Sequence, residues 1–347
     1  MYKFTKIVCR SVLNNRYACS KITQRLLQGR FFKYGPNVRL YVTRYILRKP
    51  DIKLFPTNVA ITLTILSWLG FTEEDENKES ELIMTLKRAV LCTHREQYDK
   101  AEQMLHLALR LAQQQQNEQG IIYCYDLMAN LAFDRYELEK AEKLFVTVLQ
   151  MLLSNGMQQE NLKVIHISLK LARICQLQAN LERAEIGYKW CLEQIEKQKN
   201  ENIDAQILYG VINDWYAQFL LDKGDINNSM VHLQEAYKVC NETKGKDNEK
   251  SVLLLNDLGI TSFRADDVDG AEKYLKEAIN VGNDLEDKAN LGVIHANLGL
   301  ILLHKGILTE AERCCREAWY LGKKHENTEA VDQANYCFDQ IKLNLGK

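Results

Sequence analysis

Apolar residues in this chain return to one helical face at a long, nearly fixed interval. Five segments open on Ala-Glu, at 101/102, 141/142, 184/185, 271/272 and 311/312. Each sets a second residue of its column four places after the Ala and a third, compact one seven places after it: Ala101, Leu105, Ala108; Ala141, Phe145, Val148; Ala184, Tyr188, Cys191; Ala271, Leu275, Ala278; Ala311, Cys315, Ala318. A weaker copy at Ser229, Leu233, Ala236 fills the gap, so the steps between first small residues are 40, 43, 45, 42 and 40. Residues four and seven apart share a helical face, and small side chains there let two backbones approach while the larger one fills the space left. Twelve places before each first small residue lies another, Ala89, Ala129, Ala172, Ala217, Gly259 or Gly299, inside an earlier apolar stretch. The pattern therefore predicts two antiparallel helices per unit, six units in series, and a closing helix over Thr328–Leu345 with apolar positions Ala330, Ala334, Cys337, Phe338, Ile341 and Leu345.

A fixed period of this size marks stacked repeats rather than one globular core. All three prolines precede residue 57, leaving the repeats without a breaker of helix interiors, and nothing after 57 alternates as a strand would. The fold class is all-α, a helix-turn-helix solenoid. It resembles the tetratricopeptide repeat, whose unit is about 34 residues. The extra residues per period should extend helices or loops, with 113–119, 154–159 and 197–204 read as loops.

Charge changes the picture at the N-terminus. Residues 1–53 hold 13 Lys or Arg and one acid, Asp51; taking these from the totals of 45 and 46 leaves 32 basic and 45 acidic residues, a formal charge of −13 on the rest. A basic, acid-poor leader suits a mitochondrial presequence. The alternative, a nucleic-acid-binding arm, would be tethered to a body that repels phosphate. Residues 54–71, LFPTNVAITLTILSWLGF, carry no charge and are followed by four acids. That length is marginal for a membrane span, and a docking helix over the first unit fits equally well. If the segment does span, the basic flank stays in the matrix and the acidic repeats, 80–347, face the intermembrane space.

No Cys-x-x-Cys pair, helical His pair, glycine-rich phosphate loop or nucleophile elbow occurs, so no metal, cofactor, small-molecule substrate or enzyme activity is expected. The ten cysteines read as small core residues, with Cys92 and Cys175 on first helices and Cys191 and Cys315 in the packing columns; vicinal Cys314 and Cys315 do not pair. In such arrays the first helix of each unit lines the concave face. The places facing that groove hold Tyr123, Asp126, Asn130, Phe133, His166, Arg173, Asp214, Gln218, Asn256, Phe263 and Arg264, a mixture suited to gripping a protein partner. Chaperone-binding members of the superfamily hold a terminal carboxylate with Lys and Asn; Leu86, Val90 and Leu127 stand at the corresponding places here, which argues against a co-chaperone.

A more particular likeness lies in the second and third units. The stretch 123–133, YCYDLMANLAF, followed by Leu138, Glu139, Ala141 and Glu142, together with Gly156, Met157, Gln159, Glu160 and the ISLKLA of 167–172, resembles the mitochondrial tetratricopeptide repeat protein nineteen family over about residues 68–345. The resemblance implies association with the inner membrane and with respiratory complex III. It further implies a role in assembly or maintenance by promoting clearance of Rieske iron–sulfur subunit fragments. The alternative is a kinesin-light-chain-like cargo adaptor, which predicts an upstream coiled coil that the leader lacks. An enzyme that cleaves the fragments itself would need a nucleophile or metal motif.

Overall fold

The computed structural model describes residues 81–245 and 247–345, which form thirteen helices and no strand. They are α1 (Glu81–His94), α2 (Tyr98–Gln114), α3 (Glu118–Asp134), α4 (Leu138–Ser154), α5 (Leu162–Leu177), α6 (Leu181–Glu196), α7 (Ile203–Lys223), α8 (Ile226–Lys244), α9 (Glu249–Arg264), α10 (Val268–Asn283), α11 (Leu291–His304), α12 (Leu308–Lys324) and α13 (Thr328–Leu345). Successive pairs from α1–α2 to α11–α12 make six units, and α13 packs on the last. The basic leader of 1–53 and the apolar segment of 54–71 lie outside the described residues.

The small residues of the columns are the contact points between helices. Ala101, Ala141, Ala184, Ser229, Ala271 and Ala311 are all fully buried, as are the residues four places on, from Leu105 to Cys315. Burying one large side chain of this kind contributes about 1.5–3 kcal/mol. Ser229 keeps its place because its hydroxyl donates to the Ala217 carbonyl at 2.8 Å, so no polar group is stranded in the seam.

Chain reversal is equally repetitive. Ten of the first twelve helices, all but α6 and α10, end on a residue with positive φ two places or fewer beyond the last turn: Glu96, Gln116, Tyr136, Ala179, Asp266 and Glu326, or Gly156, Gly224, Gly245 and Gly306. The next N–H then reaches back to the helix, as in Asn117 to Ala112 at 2.9 Å and Glu137 to Ala132 at 2.8 Å. A non-glycine in this conformation costs about 1 kcal/mol, which the recovered hydrogen bonds offset. Asn117, Asn161, Asn180, Asn202, Asp225, Asn248 and Asp267 cap the following helices by accepting backbone N–H groups.

Two expectations change. The loop read over 113–119 shrinks to residues 115–117, because Gln116 turns left-handed and Asn117 caps α3 by accepting the Gly120 N–H at 2.8 Å. Much of the longer period goes into helix: α7 has 21 residues and α8 has 19. The second correction concerns cysteine. Cys175 and Cys191 are buried core residues and Cys92 is half-buried, but Cys315 forms a disulfide with Cys337 of α13, with 6.1 Å between their Cα atoms. The partners stand 22 residues apart and meet only because α13 folds back across the column.

Candidate functional site

First helices of neighbouring units touch one another, α5 with α7 and α9 with α11, while the corresponding second helices are farther apart. The first helices therefore form the inner face of the array. Their polar residues pair across units at about the repeat spacing. Asn130 accepts from Lys170 at 2.6 Å, Gln176 donates to Asp222 at 2.6 Å, Asp214 accepts from Lys250 at 2.6 Å, Gln218 donates to Asp257 at 3.1 Å, and Asn256 accepts from Asn297 at 2.9 Å.

The eleven expected groove residues fall into two sets. Tyr123, Phe133, Arg173, Asp214 and Asn256 are buried. Tyr123 and Phe133 join the apolar clusters between units, and Phe133 meets Phe145 edge-on at 6.4 Å. Arg173 donates to Gln176 at 2.9 Å and lies over the Trp215 ring. Asp126, Asn130, His166, Gln218, Phe263 and Arg264 are partly exposed on the inner face. Phe263 meets the His304 ring edge-on at 5.2 Å, and Arg264 donates to the Leu221 carbonyl at 3.3 Å. Reading each unit alone left out Lys170, Gln176, Asp222, Lys250, Asp257 and Asn297. Their signal was the period itself, since each stands opposite a polar residue 36–46 positions away.

Electrostatics divide this face. Around α3 and α5, burial pushes the Asp134 carboxyl up to about 6 against the pull of Lys170, and lowers Lys163 to about 8. Burial and then the Lys170 charge hold His166 well below its usual value, so its ring is neutral at physiological pH. Lys170 is itself lowered by burial, with Asp126 and Asp134 opposing. Farther along, burial opposes the Lys250 charge, but Asp214 overcomes it and holds the amine protonated. The second Asp214 oxygen is buried without a hydrogen-bond partner. From α9 onward the inner face is more apolar, with Ile260, Phe263, Leu300 and Leu303 partly exposed.

A second ladder explains the Glu of the Ala-Glu dipeptide. Glu102 pairs with Arg135 at 3.0 Å and Lys140 at 2.5 Å; Glu142 with Arg183 at 3.3 Å and the Gln178 amide at 3.1 Å; Glu185 with Lys223 at 2.6 Å; Glu272 with Lys305 at 2.7 Å. Arg135, Gln178, Lys223 and Lys305 each stand six places before the next column's first small residue. At the fourth step both partners are missing together, Met230 replacing the Glu and Ala265 the base.

Burial pushes the Cys124 and Cys175 thiols up to about 12 and 11, which keeps them from acting as thiolates. Among the described residues no group of three or more His, Cys, Asp or Glu could hold a metal ion, and no helix is long and apolar enough to cross a membrane.

No family model matches the chain. It is 41% identical over 291 residues to the mitochondrial tetratricopeptide repeat protein 19 homolog of Drosophila melanogaster, covering 83% of this chain and 78% of that protein. It is 32% identical over 330 residues to mitochondrial tetratricopeptide repeat protein 19 of Homo sapiens, covering 86% and 85%. Among solved structures it is similar to BtubC (BKLC) from P. vanneervenii, with a TM-score of 0.55 at 19% identity over 72% of this chain and 94% of that one. A signal transduction ATPase with a tetratricopeptide repeat sensor from Pyrococcus horikoshii matches with a TM-score of 0.57 at 15% identity, covering 88% and 43%. Likeness at these identities concerns the fold alone, a tetratricopeptide-type helical repeat.

Proposed function

Because the chain belongs to the family of mitochondrial tetratricopeptide repeat protein 19, we propose that it is a non-enzymatic assembly and quality-control factor of respiratory complex III. It binds the complex through the inner face of its repeats and promotes removal of Rieske subunit fragments, the peptide-bond chemistry being supplied by a partner protease. The observation that carries this reading is the 41% identity sustained over 83% of the chain. Support comes from the partly exposed Asp126, His166, Gln218, Phe263 and Arg264, which can present hydrogen-bonding, charged and aromatic groups to a protein surface. Tyr123, Phe133, Arg173, Asp214 and Asn256 set the shape of that surface from behind, and Asn130, hydrogen-bonded to Lys170, lies partly exposed on it.

In this reading residues 1–53 are a presequence, 54–71 attach the protein to the inner membrane, and the array of 80–347 faces the intermembrane space. The charge contrast between leader and repeats supports that orientation. The test is co-migration with complex III on native gels, joined to loss of the protein. Deletion should leave Rieske fragments on the complex, and a complex III of normal composition after deletion would refute the role. Phe263→Ala with Arg264→Ala should reduce co-migration at least several-fold while leaving the melting temperature within a few degrees. Protease added to mitoplasts should digest the array; full protection would reject the orientation.

A further inference from the structure

The sixth packing column differs from the others at its second place. Leu105, Phe145, Tyr188, Leu233 and Leu275 fill the gap between helices in the first five units, but the sixth carries Cys315, bonded to Cys337. The seam around that bond is made of small groups. α13 buries Ala330, Gln333, Ala334, Cys337 and Ile341, with Phe338 partly buried beside them. Opposite them lie Gly292 and Gly299 of α11 and Gly322 of α12. A Cβ at Gly292 would come within 2.8 Å of the Ala330 Cβ, and one at Gly299 within 2.7 Å of the Cys315 sulfur, so these helices meet almost backbone to backbone. Among the described residues α13 packs mainly on α11 and α12, on one side only, so its hold on the array rests on this seam.

We propose that oxidation of Cys315 and Cys337 is the step that locks the capping helix: α13 is held down in the disulfide form and opens readily in the dithiol form. The oxidant is a protein that carries a transferable disulfide. A thiolate from one cysteine attacks the donor's S–S bond, forming a mixed disulfide and releasing one donor thiolate. The second cysteine's thiolate then attacks the mixed disulfide, closing the Cys315–Cys337 bond and releasing the other donor thiolate; the two protons lost by the cysteines end on the donor's thiols. Both sulfurs are fully buried once α13 is docked. Transfer therefore precedes docking, and reversal requires α13 to open. The locking is a property of the chain itself, whereas the donor's access rests on the intermembrane-space placement proposed above.

Hydrogen exchange with mass spectrometry on the full chain tests the lock, comparing the oxidised protein, the same protein in a phosphine reductant, and Cys337→Ala. Amides of 328–345 should exchange at least about tenfold faster in the last two, with α9 and α10 unchanged. Equal protection of α13 in all three samples would overturn the proposal, and so would loss of protection spreading into α9. Thiol trapping in intact mitochondria, read by mass spectrometry, should find the 315–337 linkage. Free thiols there, with the lock intact in the purified protein, would reject the donor and the placement but not the lock, and complex III co-migration is read independently of both.

Discussion

Asp134, at the end of α3, carries a carboxyl that burial pushes from 3.8 to about 6, against the opposing charge of Lys170. The folded state thus binds this proton more tightly than the unfolded chain does. Its contribution to stability is complete below the unfolded value and is lost as pH rises through about 6. Asp134→Asn, similar in shape without the charge, should stabilise the protein at pH about 7.5 by about 1 kcal/mol once partial exposure is allowed for, and the gain should vanish near pH 4. Urea denaturation at the two pH values measures this; an equal gain at both would place its cause outside the ionisation. Nothing in the sequence marks Asp134 apart from Asp126. What raises its carboxyl is burial, which arises only when later parts of the array, Lys170 among them, come against α3.

At the scale of helices, the Glu ladder sets how one unit sits on the next. Its rungs differ in exposure: the side chains of Glu142 and Arg183 are 13% and 16% exposed, those of Glu185 and Lys223 28% and 34%. Arg183 also has a buried Nε without a partner, so it depends on the carboxylate it touches. Glu142→Ala should therefore cost about 1–3 kcal/mol by stranding a buried cation, and Glu185→Ala less than about 1 kcal/mol. Thermal melts of both variants give the ordering, and equal losses would show that burial does not govern the rungs. The recurrence of Ala-Glu was visible in the chain from the start. The reason for the Glu was not, because its partner stands 33–41 residues away and belongs to the next unit.

Across the whole molecule each unit rests on its neighbours, so damage should travel a limited distance. Ala141→Trp forces a ring into a fully buried seam of the second unit and should cost about 1–3 kcal/mol or more. Hydrogen exchange should then show lost protection in α3 to α6 with α9 to α12 retained, while Ala311→Trp reverses the pattern. Loss throughout the array in either variant would mean a single cooperative core. The sequence by itself determined the paired helices, their number, the packing columns and the bounds of α13, because close helix contact demands small residues at positions that recur along one chain. It also carried the charge contrast of residues 1–53, which lie outside the described structure. Only the tertiary structure decided which inner-face residues brace neighbouring units and which remain partly exposed, that Cys315 meets Cys337, and that turns at Tyr136 and Ala179 run left-handed without glycine. Those outcomes depend on distances between residues some forty positions apart, which come into being only when the units stack.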